Sequence, residues 1–308
     1  MSDDADRLTG RVVQRSRRAI RVDVAGATYR CSLRGKFREH GPTLPIVVGD
    51  RVEIAALDDR EGVVEDVLPR TSELTRVTAG GKVVSVAANM EQVLLVLSAC
   101  EPPPRWSLVD RVFVAAGRHE LSAAVVVNKW DRVADDLKAV QNVQEKLALY
   151  ERLGYETFLV SAVTGIGLDS LRDWLTDRLT VLTGHSGVGK STLLNALDTD
   201  LELVTGSVSE YSGKGRHTTT AVTLYPMPFA GYVADTPGFR EFALSGIHPS
   251  EIGHFFPEFV PHLAECKYKN CLHREEPSCA VRRAVATGEV SKRRYNSYLR
   301  ILSARGMK

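Results

Sequence analysis

The chain has 308 residues, more than one hydrophobic core usually serves, so two or three domains are expected. Its apolar fraction of 44% and charged fraction of 25% are those of an ordinary soluble globular protein. The longest apolar run, Val93 to Leu97, is far too short to span a bilayer, and the acidic start leads into no signal-peptide pattern. No membrane partner and a cytoplasmic location are therefore expected, and there the five cysteines point to metal rather than disulfides. The net charge of +2 hides two basic ends. Ten basic residues lie between Arg7 and Arg38, and eight lie between Val281 and Lys308 against the single acid Glu289. Such ends suit a polyanionic partner gripped at two places.

Residues 1–69 alternate with period two in short segments: Arg11–Val13, Ile20–Val24, Tyr29–Leu33, Arg51–Ile54 and Val63–Leu68. Turns at Gly26, Gly35, Gly49-Asp50 and Gly62 separate them, which predicts a small β-barrel of OB type, with an SH3-like barrel as the alternative. Arginines 15, 17, 18, 21, 30, 34 and 38 with Lys36 make it basic, and Tyr29 and Phe37 are candidates for base stacking. Cys31 and Cys100 stand alone and read as small buried hydrophobes.

Pro69 to Lys82 is polar, contains Gly80-Gly81 and reads as a linker. From there to residue 245 strand and helix patterns alternate, predicting a mainly parallel sheet with helices on both faces and ligands at the carboxyl ends of its strands. Asn128-Lys-Trp-Asp131 follows the apolar run Ala123–Val127 and has the form N-K-x-D, which GTPases use to read guanine. The Asp131 carboxylate accepts from the guanine ring N–H and exocyclic amine. Adenine presents an acceptor there, and a site leaving a buried polar group unpaired can discriminate by roughly 10⁴ to 10⁵. Ser161-Ala162 after Thr157–Val160 stands where GTPases place a backbone contact to the guanine oxygen.

A helical pattern from Leu168 to Leu179 runs into the strand Thr180–Thr183 and then Gly184-His185-Ser186-Gly187-Val188-Gly189-Lys190-Ser191, a full G-x-x-x-x-G-K-[ST] match. Its glycines let backbone N–H groups converge on phosphate oxygens at the start of a helix that continues through Thr192 to Leu197. Lys190 reaches the β- and γ-phosphates and Ser191 meets Mg²⁺. Asp235-Thr-Pro-Gly238 follows the strand Gly231–Ala234, suiting an Asp that holds the Mg²⁺ shell and a Gly that senses the γ-phosphate. Between them, Gly213 to Thr220 reads as switch I, with Thr219 the candidate Mg²⁺ ligand and His217 a candidate for the hydrolytic site. Most GTPases run phosphate loop, switch I, D-x-x-G, N-K-x-D, Ser-Ala. Here the last two come first, so the domain is circularly permuted.

In the last segment, 246–308, Cys266-x₄-Cys271-x-His273-x₅-Cys279 supplies a closed Cys₃His set, read as one structural zinc that furnishes the folding energy a short module lacks. Ala280–Ala286 and Ser291–Ser303 read as helices, the second capped by Ser291 and offering Lys292, Arg293, Arg294, Tyr295, Tyr298 and Arg300 to RNA.

The permuted motif order, the barrel and the cysteine cluster together resemble the bacterial ribosome small-subunit-dependent GTPases of the RsgA/YjeQ type, over essentially the whole chain. The resemblance implies GTP hydrolysis coupled to late maturation of the small ribosomal subunit, stimulated by that subunit and its rRNA, by a protein expected as a monomer. It also implies slow intrinsic turnover, because Phe239 stands where many GTPases carry a water-orienting Gln. A nucleotide-gated RNA-binding scaffold with incidental hydrolysis is the alternative.

Overall fold

The computed structural model describes residues 7–16, 19–34, 46–57, 60–77, 80–201, 203, 222–235 and 247–304. The alternating N-terminal segments form β1 (Arg7–Arg15), β2 (Ile20–Val24), β3 (Ala27–Leu33), β4 (Arg51–Ala56) and β5 (Glu61–Val67). Their order is β1-β2-β3-β5-β4, and β4 pairs back onto β1, so the sheet closes in OB-type order. Alternate side chains fill it, among them Val12, Val22, Cys31, Val52, Ile54 and Val64. Cys31 is thus a core residue, as expected.

The stretch expected as a linker is mostly a β-hairpin. β6 (Glu73–Val77) pairs antiparallel with β7 (Val83–Ala88), and Gly81, at φ +76°, lies in the connection between them. The glycines that read as flexibility serve the turn, while Leu74 and Ala87 enter the core. The hairpin base is bolted to the barrel. Arg70 grips the fully buried Asp50 through Nε at 2.7 Å and Nη2 at 2.9 Å, and Asn89 Nδ2 donates to the Gly49 carbonyl at 3.0 Å. A Cβ on Gly49 would fall 2.0 Å from the Ala88 carbonyl oxygen, so only glycine admits this approach.

The second sheet comprises β8 (Gln92–Ser98), β9 (Ser122–Asn128), β10 (Glu156–Leu159), β11 (Leu179–Gly184), β12 (Thr223–Pro226) and β13 (Tyr232–Asp235). Its order is β10-β9-β8-β11-β13-β12, parallel except for β12. Period two sorts the side chains of its buried strands onto two faces. Val93, Leu95, Leu97, Val125 and Val127 face α1 (Ser107–Arg118) and α2 (Leu137–Glu151). Leu94, Val96, Ala124 and Val126 face α3 (Leu168–Leu175) and α4 (Lys190–Leu197). Each valine and leucine among them contributes about 1.5–3 kcal/mol on burial. The helix expected to reach Leu179 stops at Leu175. Thr176 is extended and Asp177 has φ +57°, because Leu179 is claimed by the ladder with Tyr232. Strand β12 was not foreseen. It carries the sheet onward, Gln14 pairing with Thr223, so barrel and second sheet form one eleven-stranded surface. Tyr232 Oη donates to Asp23 at 2.6 Å and Arg11 lies over the Tyr232 ring, reinforcing that seam.

The C-terminal module consists of a 3₁₀ segment at Pro249–Phe255, α5 (Val260–Leu263), α6 (Ala280–Thr287) and α7 (Lys292–Ser303). Phe256, Phe259, Tyr298 and Leu302 share one core with Val109, Val112 and Phe113 of α1. Ser291 occupies the N-cap of α7, but its side chain makes no cap hydrogen bond. Three residues expected to meet RNA turn inward. Arg294 is 1% exposed, binds Glu258 through Nε at 2.6 Å and Nη2 at 3.2 Å, and also pairs with Asp110, which accepts from Tyr150 Oη at 2.8 Å. Burial disfavours the Arg294 charge, but the Glu258 hydrogen bonds and the Asp110 charge more than reverse this. Tyr298 is fully buried and Tyr295 half-buried, their hydroxyls donating to the carbonyls of Leu272 and His273. The physical reason is common to all three: they lie on the face of α7 that packs against α1 and the cysteine loop. Replacing Arg294 with Ala leaves two buried carboxylates uncompensated. It is expected to cost about 3–5 kcal/mol, read as a lowered urea midpoint at unchanged slope.

Candidate functional site

The carboxyl ends of β9, β10 and β11 bring three sequence motifs into contact, and the side chain of Asn128 is the meeting point. Buried at the end of β9, its Nδ2 donates to the carbonyls of Val188 at 3.1 Å and Gly189 at 3.4 Å. Its Oδ1 accepts from the backbone N–H of Lys129 at 2.8 Å and of Ala162 at 3.1 Å. One amide therefore uses donor and acceptor sides to tie the N-K-x-D segment, the Ser-Ala loop and the phosphate loop together.

Lys129 takes the left-handed conformation, φ 66°, which swings the chain into the 3₁₀ turn Trp130–Arg132, where Asp131 is half-buried. The Lys129 ammonium reaches back over the phosphate loop to the Gly187 carbonyl at 2.7 Å and also bonds the Glu101 carbonyl. Ser161 is fully buried, its Oγ accepting from the Thr164 N–H, and Ala162 is half-buried beside it.

The phosphate loop leaves β11 at Gly184, exposes Ser186 and Gly187, and plugs Val188 into the core below. Gly189 has φ +91° at the N-cap of α4, and a Cβ there would sit 2.5 Å from Asn128 Nδ2. Lys190 Nζ donates to the carbonyls of Gly184 at 3.1 Å and His185 at 3.2 Å. Ser191 is buried in the first turn of α4, with Thr192 following it half-buried. The backbone of Asp235 ends β13 in register with Leu182 of β11, so D-x-x-G starts at the same sheet end as the phosphate loop. His217, Thr219, Gly238 and Phe239 lie outside the described residues, as does the side chain of Asp235.

The chain belongs to the RsgA GTPase family. The family model for the RsgA GTPase matches residues 67–245, and that for the RsgA N-terminal domain matches residues 9–64. Among curated relatives, the "Small ribosomal subunit biogenesis GTPase RsgA" of Gemmatimonas aurantiaca is 43% identical over 282 residues, covering 90% of each chain. The protein of the same name from Moorella thermoacetica is 42% identical over 283 residues, covering 92% of each. Among solved structures, YjeQ from Thermotoga maritima superposes with TM-score 0.79 at 35% identity, covering 98% of this chain and all of that one. YloQ, described as a circularly permuted GTPase, gives TM-score 0.75 at 29% identity, covering 99% and 97%. Fold, permutation and GTPase class are those of this family.

The second cluster lies in the C-terminal module. One ligand atom from each of Cys266, Cys271, His273 and Cys279 falls within 4.8 Å of every other. Cys266 Sγ is 3.6 Å from His273 Nδ1, Cys279 Sγ is 3.4 Å from it, and the two sulfurs are 4.0 Å apart. A tetrahedron with 2.3 Å metal–sulfur bonds has edges of about 3.8 Å, so the cluster fits a four-coordinate metal. Burial pushes the Cys271 thiol up to about 12 and depresses His273, keeping the imidazole in its neutral, ligating form. The loop is held from outside by Glu276, whose carboxylate accepts from the N–H groups of Leu272, Arg274 and Glu275, and by the Tyr295 and Tyr298 hydroxyls.

Sequence reading missed these supports, together with the pairing of Arg105 Nη1 with His185 Nε2 at 3.0 Å. Asp110, an acid inside the apolar run of α1, was the one visible sign of a buried partner. Because Gly189 combines positive φ with contact on Asn128, Gly189→Ala is expected to weaken guanine-nucleotide binding by about tenfold or more, measured by fluorescent GDP titration.

Proposed function

We propose that this chain is a GTPase of small-ribosomal-subunit biogenesis, working at the subunit in the cytoplasm, hydrolysing GTP slowly alone and faster when bound to that subunit. The observation that carries the nucleotide part is the Asn128 side chain bridging the N-K-x-D segment, the Ser-Ala loop and the phosphate loop. That bridge fixes the distance between base and phosphate recognition, so Asp131 reads guanine while the backbone N–H groups of Gly184 to Ser191 take the phosphates. The Ala162 region meets the guanine oxygen, and Lys190 turns from its loop carbonyls to the β- and γ-phosphates. Magnesium suits hard oxygen donors, and Ser191, Thr219 and Asp235 are the residues of this chain that would hold it. When bound it neutralises charge developing on the phosphate oxygens. Gly238 senses the γ-phosphate, and His217 approaches the attacking water. Phe239 cannot orient water, which is the chemical reason for low basal turnover.

The relatives' name, small ribosomal subunit biogenesis GTPase, supports the partner. The exposed basic residues Arg21, Arg30 and Arg34 of the barrel and Lys292 of α7 supply cations for its rRNA. Zinc is the metal of the Cys₃His cluster and is structural, since four protein ligands leave no open position. Three units divide the work: 1–69 contacts RNA, 70–245 binds and hydrolyses GTP, and 246–308 is the zinc module.

Three measurements test this. GTP turnover should rise by roughly 10³ to 10⁵ on adding small subunits, the range for completing a phosphoryl-transfer site, and an unstimulated rate would refute the partner. Asp131→Asn should lose GTP affinity and gain xanthosine triphosphate affinity; equal ATP and GTP binding by the wild type would remove the guanine assignment. Metal analysis should give one zinc per chain, and Cys271→Ser should unfold the module around residues 266–279 while sparing nucleotide binding.

A further inference from the structure

A cavity of about 300 Å³ opens between the start of α1 and the last turns of α7, beside the phosphate loop. Arg105 and Arg111 line it from the GTPase side, Ser297 and Arg300 from α7, and His185 from the phosphate loop itself. Among the described residues no acidic side chain lines it. Arg111 is half-buried at the cavity wall, and its Nε, shielded from solvent, has no hydrogen-bond partner among the described residues, although a buried guanidinium N–H ordinarily has one. Arg300 is exposed on the rim. Leu108, Ile301 and Ala304 complete the wall, and three guanidiniums, an imidazole and a hydroxyl on it, with no carboxylate among the described residues, suit recognition of an oxyanion. The neighbouring ring of Trp106 carries two more cations, Lys146 at 5.3 Å and Arg293 at 5.7 Å from its centroid. Positive charge is therefore not confined to the cavity wall, as a polyanionic strand requires and a free ion does not.

We infer that this cavity takes a backbone phosphate of the RNA partner, and that its occupation is relayed to the phosphate loop through the Arg105–His185 contact. The inference rests on the reading that the partner is small-subunit RNA. The relay is short. Arg105 Nη1 meets His185 Nε2, and the His185 carbonyl holds Lys190 Nζ. An anion drawing Arg105 into the cavity loosens its hold on His185 and changes the carbonyl cage of the lysine that must reach the nucleotide phosphates. Because α7 belongs to the C-terminal module and α1 to the GTPase unit, a phosphate between them also clamps the two together. Arg300 and Arg111 act here as binding residues for RNA and have no part in the chemistry of hydrolysis.

The test uses full-length protein with and without small subunits, comparing wild type, Arg111→Met, Arg300→Ala, Arg300→Lys and Lys138→Ala, an exposed charge on α2 that does not line the cavity. Stimulation of GTP turnover should fall about tenfold or more in Arg111→Met and Arg300→Ala and recover in part in Arg300→Lys, while Lys138→Ala changes it less than about twofold. The salt dependence of subunit binding should lose about one counterion in Arg300→Ala. Wild-type stimulation retained in both cavity variants, or lost equally in Lys138→Ala, overturns the cavity assignment alone. An unstimulated wild type overturns the RNA-partner reading and this inference with it. Millimolar inorganic phosphate should leave release of fluorescent GDP unchanged without subunits. A phosphate effect present in wild type and absent from Arg300→Ala would assign the cavity to a free anion and overturn the RNA assignment.

Discussion

The nucleotide site depends on one buried amide. Loops at the carboxyl end of a parallel sheet carry backbone groups that the sheet cannot satisfy, and a buried unpaired carbonyl or N–H costs about 1–3 kcal/mol. Asn128 settles several of these groups at once, accepting from Lys129 and Ala162 and donating to Val188 and Gly189. A carboxylate could not donate to the two carbonyls, and a hydroxyl could not reach both loops. The positive φ of Lys129 and Gly189 follows from the same constraint, since both backbones must bend around this side chain. The N-K-x-D segment, the Ser-Ala loop and the phosphate loop are thereby parts of one unit, although 60 residues separate Asn128 from Val188.

The units around that centre are joined by different physics on its two sides. The barrel is attached by strand pairing, Gln14 to Thr223, with Tyr232, Asp23 and Arg11 covering the seam. The C-terminal module is attached by a shared apolar core and by the buried charges of Arg294, Asp110 and Glu258. Buried ion pairs add little net stability over well-packed apolar groups, but they tolerate few alternative arrangements. The module is thus held in one orientation against α1, beside the phosphate loop.

Much of this was legible in the chain. Period two in residues 7–67 gave the barrel strands, and the apolar runs ahead of Asn128 and Gly184 gave β9 and β11, because such patterns report burial directly. The Cys₃His spacing gave a cluster whose atoms converge, since thiol and imidazole in so short a stretch have few other uses. What failed was context. Gly80-Gly81 serves a linker or a hairpin equally well, and only the burial of Leu74 separates them. Leu179 fits one more helical turn or the first strand residue, and pairing with Tyr232 decides it. Arg294, Tyr295 and Tyr298 looked like an RNA-facing group because their packing partners lie far away in sequence; Asp110 is 184 residues from Arg294.

The strand order has a consequence for synthesis. The barrel strands β1 to β5 are made first and close on one another, leaving no open edge among themselves. The second sheet grows differently, because its central strand β11 is translated after β8, β9 and β10 and before β13. Until β11 emerges, β8 stands at the edge of a three-stranded intermediate with its wholly apolar interior face uncovered, the arrangement most prone to pairing with another chain. The strand that covers β8 also carries the phosphate loop, and the open edge passes to β11 until β13 pairs with it. In the nascent chain, cover of β8 and arrival of the phosphate loop are therefore one event, and the start of D-x-x-G comes with the next strand to close the edge.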